Sequence, residues 1–599
     1  MKTARFQSFF QHSSPEKGQE RLAFLRSEIY KEGLEGFIIP HSDVYQSEYV
    51  APRDDRLAWL TGFIGSAGFC VALMKNAGIF VDSRYTVQVK AQTDPVFDKL
   101  NWPDVTLEDW LKVHVRDGQK IGFDPWLHTL ADIKKSCEAL RISGIKLTPC
   151  DNLVDKIWMD QPDAPKEPAF SYPIKYAGRT AEDKLSQIAK ALRDQRQAAM
   201  IVTLPENIAW LLNIRGRDVK HVPLVHCFGI LYPDTKFDLF IDSSKVQNLK
   251  GHLPKQLSVY ELTQFEKIVS KLPSPVRVDP KSLPFAVYSI LRDSEIEITQ
   301  STDLIAIPKA CKNTVEIRHA RVAHARDAAA MCEFLAWLDN QSSEYFTEID
   351  VAIALEGFRS ENSELLDLSF DTIAASGPNA ALPHYRVTHE TNRRIDISEI
   401  LLIDSGGQYL DGTTDVTRTI AIGKQNREIC EAFTRVLKGM IAISVLKFPK
   451  GTSGADIDSH ARAALWTAGH DFGHGTGHGV GHFLSVHEGP HRISRAPGPA
   501  FEIGMILSNE PGYYKEGLFG IRTENLLLVK EAEFNHTDKF LEFETLTFVP
   551  IDKRMIVKKL LSASEINWIN TYHKLCFDKN AKLLKPATVK WLSRVTRPI

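Results

Sequence analysis

Three short stretches concentrate side chains able to hold divalent metals or move protons. In the first, Asp404 closes the apolar run Leu401-Leu402-Ile403, and Asp415 stands in Thr413-Thr414-Asp415-Val416-Thr417, just past the turn signal Asp411-Gly412. An ideal two-residue hairpin at Asp411-Gly412 sets Asp404 opposite Thr419, on the same face as Asp415 but four residues, or roughly 13 Å, away. Such a hairpin keeps the acids apart unless Gly406-Gly407 supplies a bulge or bend, and it would equally suit two solvent-facing aspartates on an edge. The second stretch holds His470, His474, His478, His482, His487 and His491 within 22 residues. The first four recur at helical spacing, but Gly473, Gly475, Gly477, Gly479 and Gly481 alternate among them and would cost a helix about 5 kcal/mol. Phe472 to Phe483 is therefore expected to be extended or looped, with only some histidines converging and others hydrogen-bonded as structural residues. In the third stretch Pro511 pushes Glu510 toward an extended backbone and Gly512 marks a turn, so Glu510 is expected at a strand end. Glu524 is expected inside a strand, sharing a face with Arg522, where a plain surface ion pair is the alternative to metal chemistry.

Taken together, four carboxylates and one imidazole form a hard, oxygen-rich set suited to manganese, zinc or cobalt, and no cysteine falls within the three stretches. Four carboxylates balance two divalent ions and leave room for a bridging hydroxide. Without metal they must move apart or hold protons, so metal should stabilise the part of the chain that carries them.

The elements that position these groups lie in the last of three parts. Pro162, Pro165, Pro168 and Pro173 make Asp151 to Pro173 a linker, and a second break near Ile307-Pro308 precedes a helix capped by Asn313 and Thr314. The first two parts read as divergent copies of one α/β plan. Each opens with an amphipathic helix, the first through Leu22, Leu25 and Ile29 to a C-terminal Gly33, the second behind the Thr180 to Asp183 cap. Strands at Phe37-Ile38-Ile39 and Met200-Ile201-Val202 follow, then the Trp59 and Trp210 segments, then strands ending at Ser83 and Ser243. The third part has two halves, each of two helices (314–340 and 347–360; 426–447 and 454–468) followed by strands (369–375, 400–410 and 413–421; 505–509 and 519–530). Helices over a sheet in each half would leave a cleft where the halves meet.

Composition narrows the function classes. The 599-residue chain carries 73 Lys plus Arg against 75 Asp plus Glu, a formal charge of −2, which argues against a strongly cationic nucleic-acid binder. Its eight cysteines form no C-x-x-C pair, so neither a disulfide framework nor a thiolate zinc site is expected, and a reducing compartment is. No apolar run reaches the roughly 18 residues that span a bilayer, and residues 1–20 lack a signal-peptide core. A cytoplasmic protein with neither membrane nor nucleic-acid partner is the expectation.

Leu402-Ile403-Asp404-Ser405-Gly406 with Asp411 to Thr419, His474-Gly475-Thr476-Gly477-His478-Gly479-Val480-Gly481-His482, Val486-His487-Glu488-Gly489-Pro490, Asn509-Glu510-Pro511-Gly512 and Ile521-Arg522-Thr523-Glu524-Asn525 closely resemble the aminopeptidase P family. The resemblance extends over the whole chain, since Gln46-Ser47-Glu48-Tyr49 looks like part of that family's first domain. It implies two related creatinase-like α/β domains (1–160 and 174–308), a pita-bread catalytic domain of mixed α and β structure (309–549) and a C-terminal extension (550–599). It implies hydrolysis of the bond before a proline in the second position of a peptide, two divalent ions per subunit, manganese first with zinc or cobalt as alternatives, and a homodimer. Carried over by motif, Asp404 would bind one ion, His478 and Glu510 the other, and Asp415 and Glu524 both. Glu510 would also serve as general base. His384, His474 and His487 would contact substrate and assist proton movement or oxyanion stabilisation, and Arg522 would orient the ligands. His482 stands where the family pattern has a small residue. A prolidase acting on Xaa-Pro dipeptides, a non-catalytic binding protein and a metal-free creatinase-like hydrolase are the alternatives.

Overall fold

The computed structural model describes residues 4–10, 13–341, 346–533 and 539–599. It divides into two compact units, one of residues 12–309 and the other of residues 310–599 with the segment 1–11. Residues 4–10, expected in the first domain, thus join the second unit, where Gln7 Nε2 donates to Glu356 Oε2 at 3.0 Å and Phe9 enters the core. Among the described residues no helix is long and apolar enough to cross a membrane.

The first unit contains the two expected copies. In one, helix α1 (Gly18–Lys31) buries Leu22, Leu25 and Ile29, and the left-handed Gly33 (φ +66) turns the chain into β1 (Gly36–Pro40). Helix α2 (Arg56–Thr61) and strands β2 (Phe69–Leu73), β3 (Ala77–Val81), β4 (Asp98–Asn101), β5 (Lys120–Phe123) and β6 (Lys146–Pro149) complete a sheet of order β4-β3-β2-β1-β5-β6. In the other, Thr180 Oγ1 accepts from Asp183 N at 3.1 Å to cap α3 (Ala181–Asp194). Strand β7 (Ala199–Val202), α4 (Pro205–Leu212), β8 (Phe228–Leu231), β9 (Phe237–Phe240), β10 (Leu257–Tyr260), β11 (Val276–Val278) and β12 (Ile298–Gln300) form a sheet of order β10-β9-β8-β7-β11-β12. The strand directions also agree. Each sheet has two antiparallel pairings followed outward by a parallel one, and two parallel pairings on its other side.

The second unit carries both halves of the third part. Asn313 caps α5 (Thr314–Leu338) and Thr347 caps α6 (Glu348–Ser360), each in a reciprocal capping box. Strands β13 (Asp367–Leu368), β14 (Ile373–Ser376), β15 (Ile400–Ser405), β16 (Gly407–Tyr409), β17 (Gly412–Thr413) and β18 (Val416–Ala421) follow, in two three-stranded sheets, β13-β16-β17 and β14-β15-β18. The second half repeats the plan with α7 (Arg427–Ser444), β19 (Lys447–Pro449), α8 (Gly454–Trp466), β20 (Gly477–Gly479), β21 (Glu488–Ile493), β22 (Ile506–Asn509), β23 (Gly512–Lys515), β24 (Phe519–Arg522), β25 (Asn525–Glu531) and β26 (Phe540–Thr545). Its main sheet runs β19-β26-β25-β22-β20-β21, and β23 and β24 form a separate hairpin. Helices α9 (Ala563–Asn580) and α10 (Pro586–Val595) complete this unit. The glycine-rich stretch is extended or looped, as expected, with β20 its only strand.

The first hairpin departs from expectation in register. Tyr409 pairs with Gly412 and Asp404 with Thr417, not Thr419, so the turn residues are Leu410-Asp411. Asp411 is held there by two bonds of 2.8 Å from Arg326 on α5. The two-residue shift leaves Asp415 only two residues past the partner of Asp404, about 7 Å along the strand. Gly406 supplies a bend and no bulge, because the pairing keeps one register as the hairpin passes from one three-stranded sheet to the other. A Cβ on Gly406 would lie 1.8 Å from Thr414 O, so only glycine permits this crossing. Gly406→Ala is expected to destabilise the second unit by about 3 kcal/mol, the upper end for overpacking, and to lower metal content; an unchanged thermal midpoint would refute the bend's role.

Candidate metal centre

Each half contributes to one buried cluster. Asp404 is the penultimate residue of β15, Asp415 lies between β17 and β18, His478 is the centre of β20, and Glu510 directly follows β22. Glu524 does not lie in a strand as expected; Thr523 and Glu524 form the gap between β24 and β25. Ligand atoms of Asp415, His478 and Glu524 all lie within 4.8 Å of one another. His478 Nε2 stands 3.5 Å from Asp415 Oδ2 and 3.6 Å from Glu510 Oε1. Asp404 and Asp415, only 8% and 4% exposed, are not solvent-facing edge residues.

The groups are aimed by bonds to their far sides. His478 Nδ1 lies 2.9 Å from the Gly479 carbonyl, which can only accept, so the proton sits on Nδ1 and the Nε2 lone pair faces the carboxylates. Ser508 Oγ accepts from His478 N at 2.9 Å and donates to Glu510 Oε1 at 3.2 Å. Thr417 Oγ1 donates to Glu524 Oε2 at 2.8 Å. Arg522 is fully buried and donates to Asp404 Oδ2 at 2.6 Å, so the alternative of a surface ion pair with Glu524 does not hold.

Metal fits this donor set. Asp404 Oδ1, Asp415 Oδ1 and Glu524 Oε1 are buried with no hydrogen-bond partner among the described residues. Burial drives the Asp415 carboxyl well above the ordinary carboxylate range, and Asp404 and Glu510 add to the rise. Glu524 is raised in the same way by burial, Asp415, Asp404 and Glu510. Burial also raises Glu510, against the opposing influence of His478 and Arg522. A carboxylate cluster that prefers protons in a dry site is one whose oxygens a divalent cation would occupy instead.

Comparison with known proteins agrees with this chemistry. Residues 318–531 match metallopeptidase family M24, residues 21–159 and 160–316 each match a creatinase/prolidase N-terminal domain, and residues 539–599 match the C-terminal region of peptidase M24. A probable Xaa-Pro aminopeptidase P of Coccidioides posadasii is 37% identical, over 98% of this chain and 94% of its own length. Aminopeptidase P1 of Arabidopsis thaliana is 35% identical, over 97% of this chain and 99% of its own. A crystal structure of an X-prolyl aminopeptidase from Caenorhabditis elegans, described as a cytosolic enzyme with a di-nuclear active site, matches with a TM-score of 0.93 at 35% identity, covering 97% of this chain and 100% of that one. The chain belongs to the aminopeptidase P family.

The remaining residues carried over from that family surround the cluster unequally. The His487 ring meets the His478 ring edge-on at 4.3 Å. His474 Nε2 is 2.9 Å from Tyr514 OH, and Arg522 Nη1 donates to the same hydroxyl at 2.6 Å, so His474 reaches Asp404 through Tyr514 and Arg522. His384 is half-buried in the turn after the short 3-10 helix Gly377–Ala381. That helix packs on β24, where a Cβ on Gly520 would meet Ala380 O at 1.7 Å. His482 is buried, and His491 Nε2 bonds to Ile506 O at 2.9 Å, a structural role. Sequence reasoning missed Tyr514 and Thr417. Burial pushes the Tyr514 hydroxyl up to about 12, and its neighbour Tyr513 gave no reason to single it out.

In the folded, metal-free chain the raised carboxyl groups of Asp415 and Glu524 bind protons more tightly than in the unfolded chain. Their contribution to stability is therefore present at low pH and is lost as pH rises through the raised values. Metal displaces those protons, so metal loading is expected to release protons and to stabilise the protein more as pH rises. The gap between the thermal midpoints of manganese-loaded and chelator-treated protein should widen from about pH 5 to about pH 8; a gap independent of pH would contradict it.

Proposed function

We propose that this chain is a metal-dependent aminopeptidase that removes the N-terminal residue of peptides with proline in the second position, and that Asp404, Asp415, His478, Glu510 and Glu524 hold two divalent ions for it. The observation that carries the reading is the convergence of three buried carboxylates, the half-buried Glu510 and one Nε2 lone pair, in a chain of the aminopeptidase P family. Asp404 would hold one ion, His478 and Glu510 the other, and Asp415 and Glu524 would serve both. Bound there, the ions would supply Lewis acidity and lower the pKa of a water molecule. The oxygen-rich donors favour manganese over softer metals, with zinc and cobalt as alternatives.

The chain's own groups order the proton traffic. Glu510, 3.6 Å from His478 Nε2, would accept the proton of the attacking water and return it to the leaving proline nitrogen. His487, against His478, and His384, on the turn after the helix that packs on β24, would contact the substrate peptide. His474 acts through Tyr514 and Arg522, which hold Asp404 in place. The presence of all five metal-binding groups argues against both the non-catalytic reading and the metal-free creatinase-like reading. A cytoplasmic location is supported by the cytosolic description of the Caenorhabditis elegans relative, and a homodimer by the family resemblance alone.

Under manganese, Xaa-Pro-Yaa peptides should be cleaved with release of the free N-terminal amino acid, in step with about two metal ions per chain by elemental analysis. Turnover of Xaa-Pro dipeptides in preference to longer peptides would favour the prolidase alternative. Asp415→Asn should lose at least about 10³-fold in kcat together with metal content, while far-UV circular dichroism stays unchanged. Near-normal activity at normal metal stoichiometry in that variant would reject the bridging role.

A further inference from the structure

Glu524 sits outside every strand ladder, so its backbone must find partners elsewhere if the carboxylate is to be held still in a buried site. Its N–H donates to Thr417 O at 3.1 Å, and its carbonyl accepts from Arg418 Nη1 at 2.5 Å. The same Nη1 donates to Thr417 O at 2.7 Å, so one guanidinium nitrogen joins the two segments that carry Asp415 and Glu524. Nothing in the first half fixes the other end of Arg418. The second half and the C-terminal extension do so together: Nη2 donates to Asn525 Oδ1 at 2.8 Å, to Val549 O at 2.7 Å and, in the extension, to Tyr572 OH on α9 at 2.8 Å, while Nε donates to Pro550 O at 3.2 Å. Tyr572 is locked in turn, its hydroxyl donating to Val549 O at 2.8 Å and its ring stacked on Trp568 at 5.0 Å with a 7° interplanar angle.

We propose that Arg418 and Tyr572 are positioning residues for Glu524, so that the C-terminal extension is a working part of the metal centre. The role rests on the metal-binding reading of Glu524 given above. Arginine suits it because its rigid planar fork spreads its donors over separate nitrogens, so that Nη1 serves Thr417 and Glu524 while Nη2 reaches Val549 and Tyr572, whereas an ammonium presents its donors from a single point. Neither side chain touches the metal or substrate; each acts by fixing where the Glu524 carboxylate points. The loss on mutation should therefore appear in metal affinity, with little change in KM for peptide once metal is saturating.

The test compares manganese binding, by calorimetry and by the electron paramagnetic resonance signal of bound ion, in the full-length wild type, Tyr572→Phe, Arg418→Lys and Ile569→Ala. Ile569 is fully buried on the same helix and reaches none of these hydrogen bonds, so its truncation lowers thermal stability only. Tyr572→Phe is expected to weaken manganese binding about tenfold and Arg418→Lys by more, while Ile569→Ala keeps wild-type affinity despite a lower thermal midpoint. Wild-type affinity in Tyr572→Phe overturns the proposal, and this variant keeps the test open if Arg418→Lys does not fold. Equal weakening in Ile569→Ala also overturns it, since the effect would then be general loosening. A wild-type chain that binds no manganese, zinc or cobalt would sink the metal reading itself and the positioning role with it.

Discussion

Carboxylates buried against one another are the constraint around which the second unit is built. Asp404, Asp415 and Glu524 are buried and Glu510 partly so, which leaves them little water, and the folded chain can tolerate them only with protons or cations between them. The response is asymmetric at Asp404 and Glu524. Asp404 Oδ2 is tied to Arg522 and Glu524 Oε2 to Thr417, while Asp404 Oδ1 and Glu524 Oε1 are left unpartnered, as is Asp415 Oδ1. One oxygen anchors and the other is presented. A site that merely avoided repulsion would pair both oxygens, so the arrangement stores a preference for cations in the fold itself.

Presenting five groups at one point from two halves requires backbones to approach closely, and glycine is the means. Strand β20 is pressed between β21 and β22. A Cβ on Gly477 would lie 1.9 Å from Ser508 O, and one on Gly479 would lie 2.2 Å from Glu488 O. His478 between them points the other way, toward the carboxylates, as strand alternation demands. The alternate glycines therefore make room for the strand that delivers the imidazole. At Gly406 the same device lets the first hairpin cross between sheets and brings Asp404 beside Asp415.

Much of this was legible in the sequence because the signals are local. Helix caps at Asn313, Thr347 and Thr180, the periodicity of α1, α3 and α7, the shared plan of the two N-terminal copies and the rejection of a histidine helix all depend on neighbours a few residues apart. What escaped depends on partners far along the chain. The hairpin turn shifted by one residue because Arg326 holds Asp411, a contact between residues 85 apart. Glu524 fell outside a strand because Thr417 and Arg418, more than 100 residues earlier, take its backbone. Tyr514 and Tyr572 were invisible for the same reason: a tyrosine announces its role only through the hydroxyl's partner, and a single sequence does not name that partner.

The histidines show how far local chemistry can go in assigning roles. His474 and His478 each present Nδ1 to the carbonyl of the glycine that follows, at 2.7 and 2.9 Å. The repeated His-Gly step thus fixes the same tautomer twice, with Nε2 as acceptor, before any distant contact is made. What meets that lone pair then separates the two. At His478 it meets the carboxylates of Asp415 and Glu510, an arrangement that is satisfactory only with a proton or a cation between them. At His474 it meets Tyr514 OH, which accepts from Arg522 and so has its own hydrogen free to donate. One side chain thereby turns its lone pair to carboxylates and the other is the end of a hydrogen-bond chain running through Tyr514 and Arg522 to Asp404, although the two sit in the same local motif four residues apart. Identity of residue and spacing set the tautomer; only the fold decides whether that lone pair sees a metal or a proton.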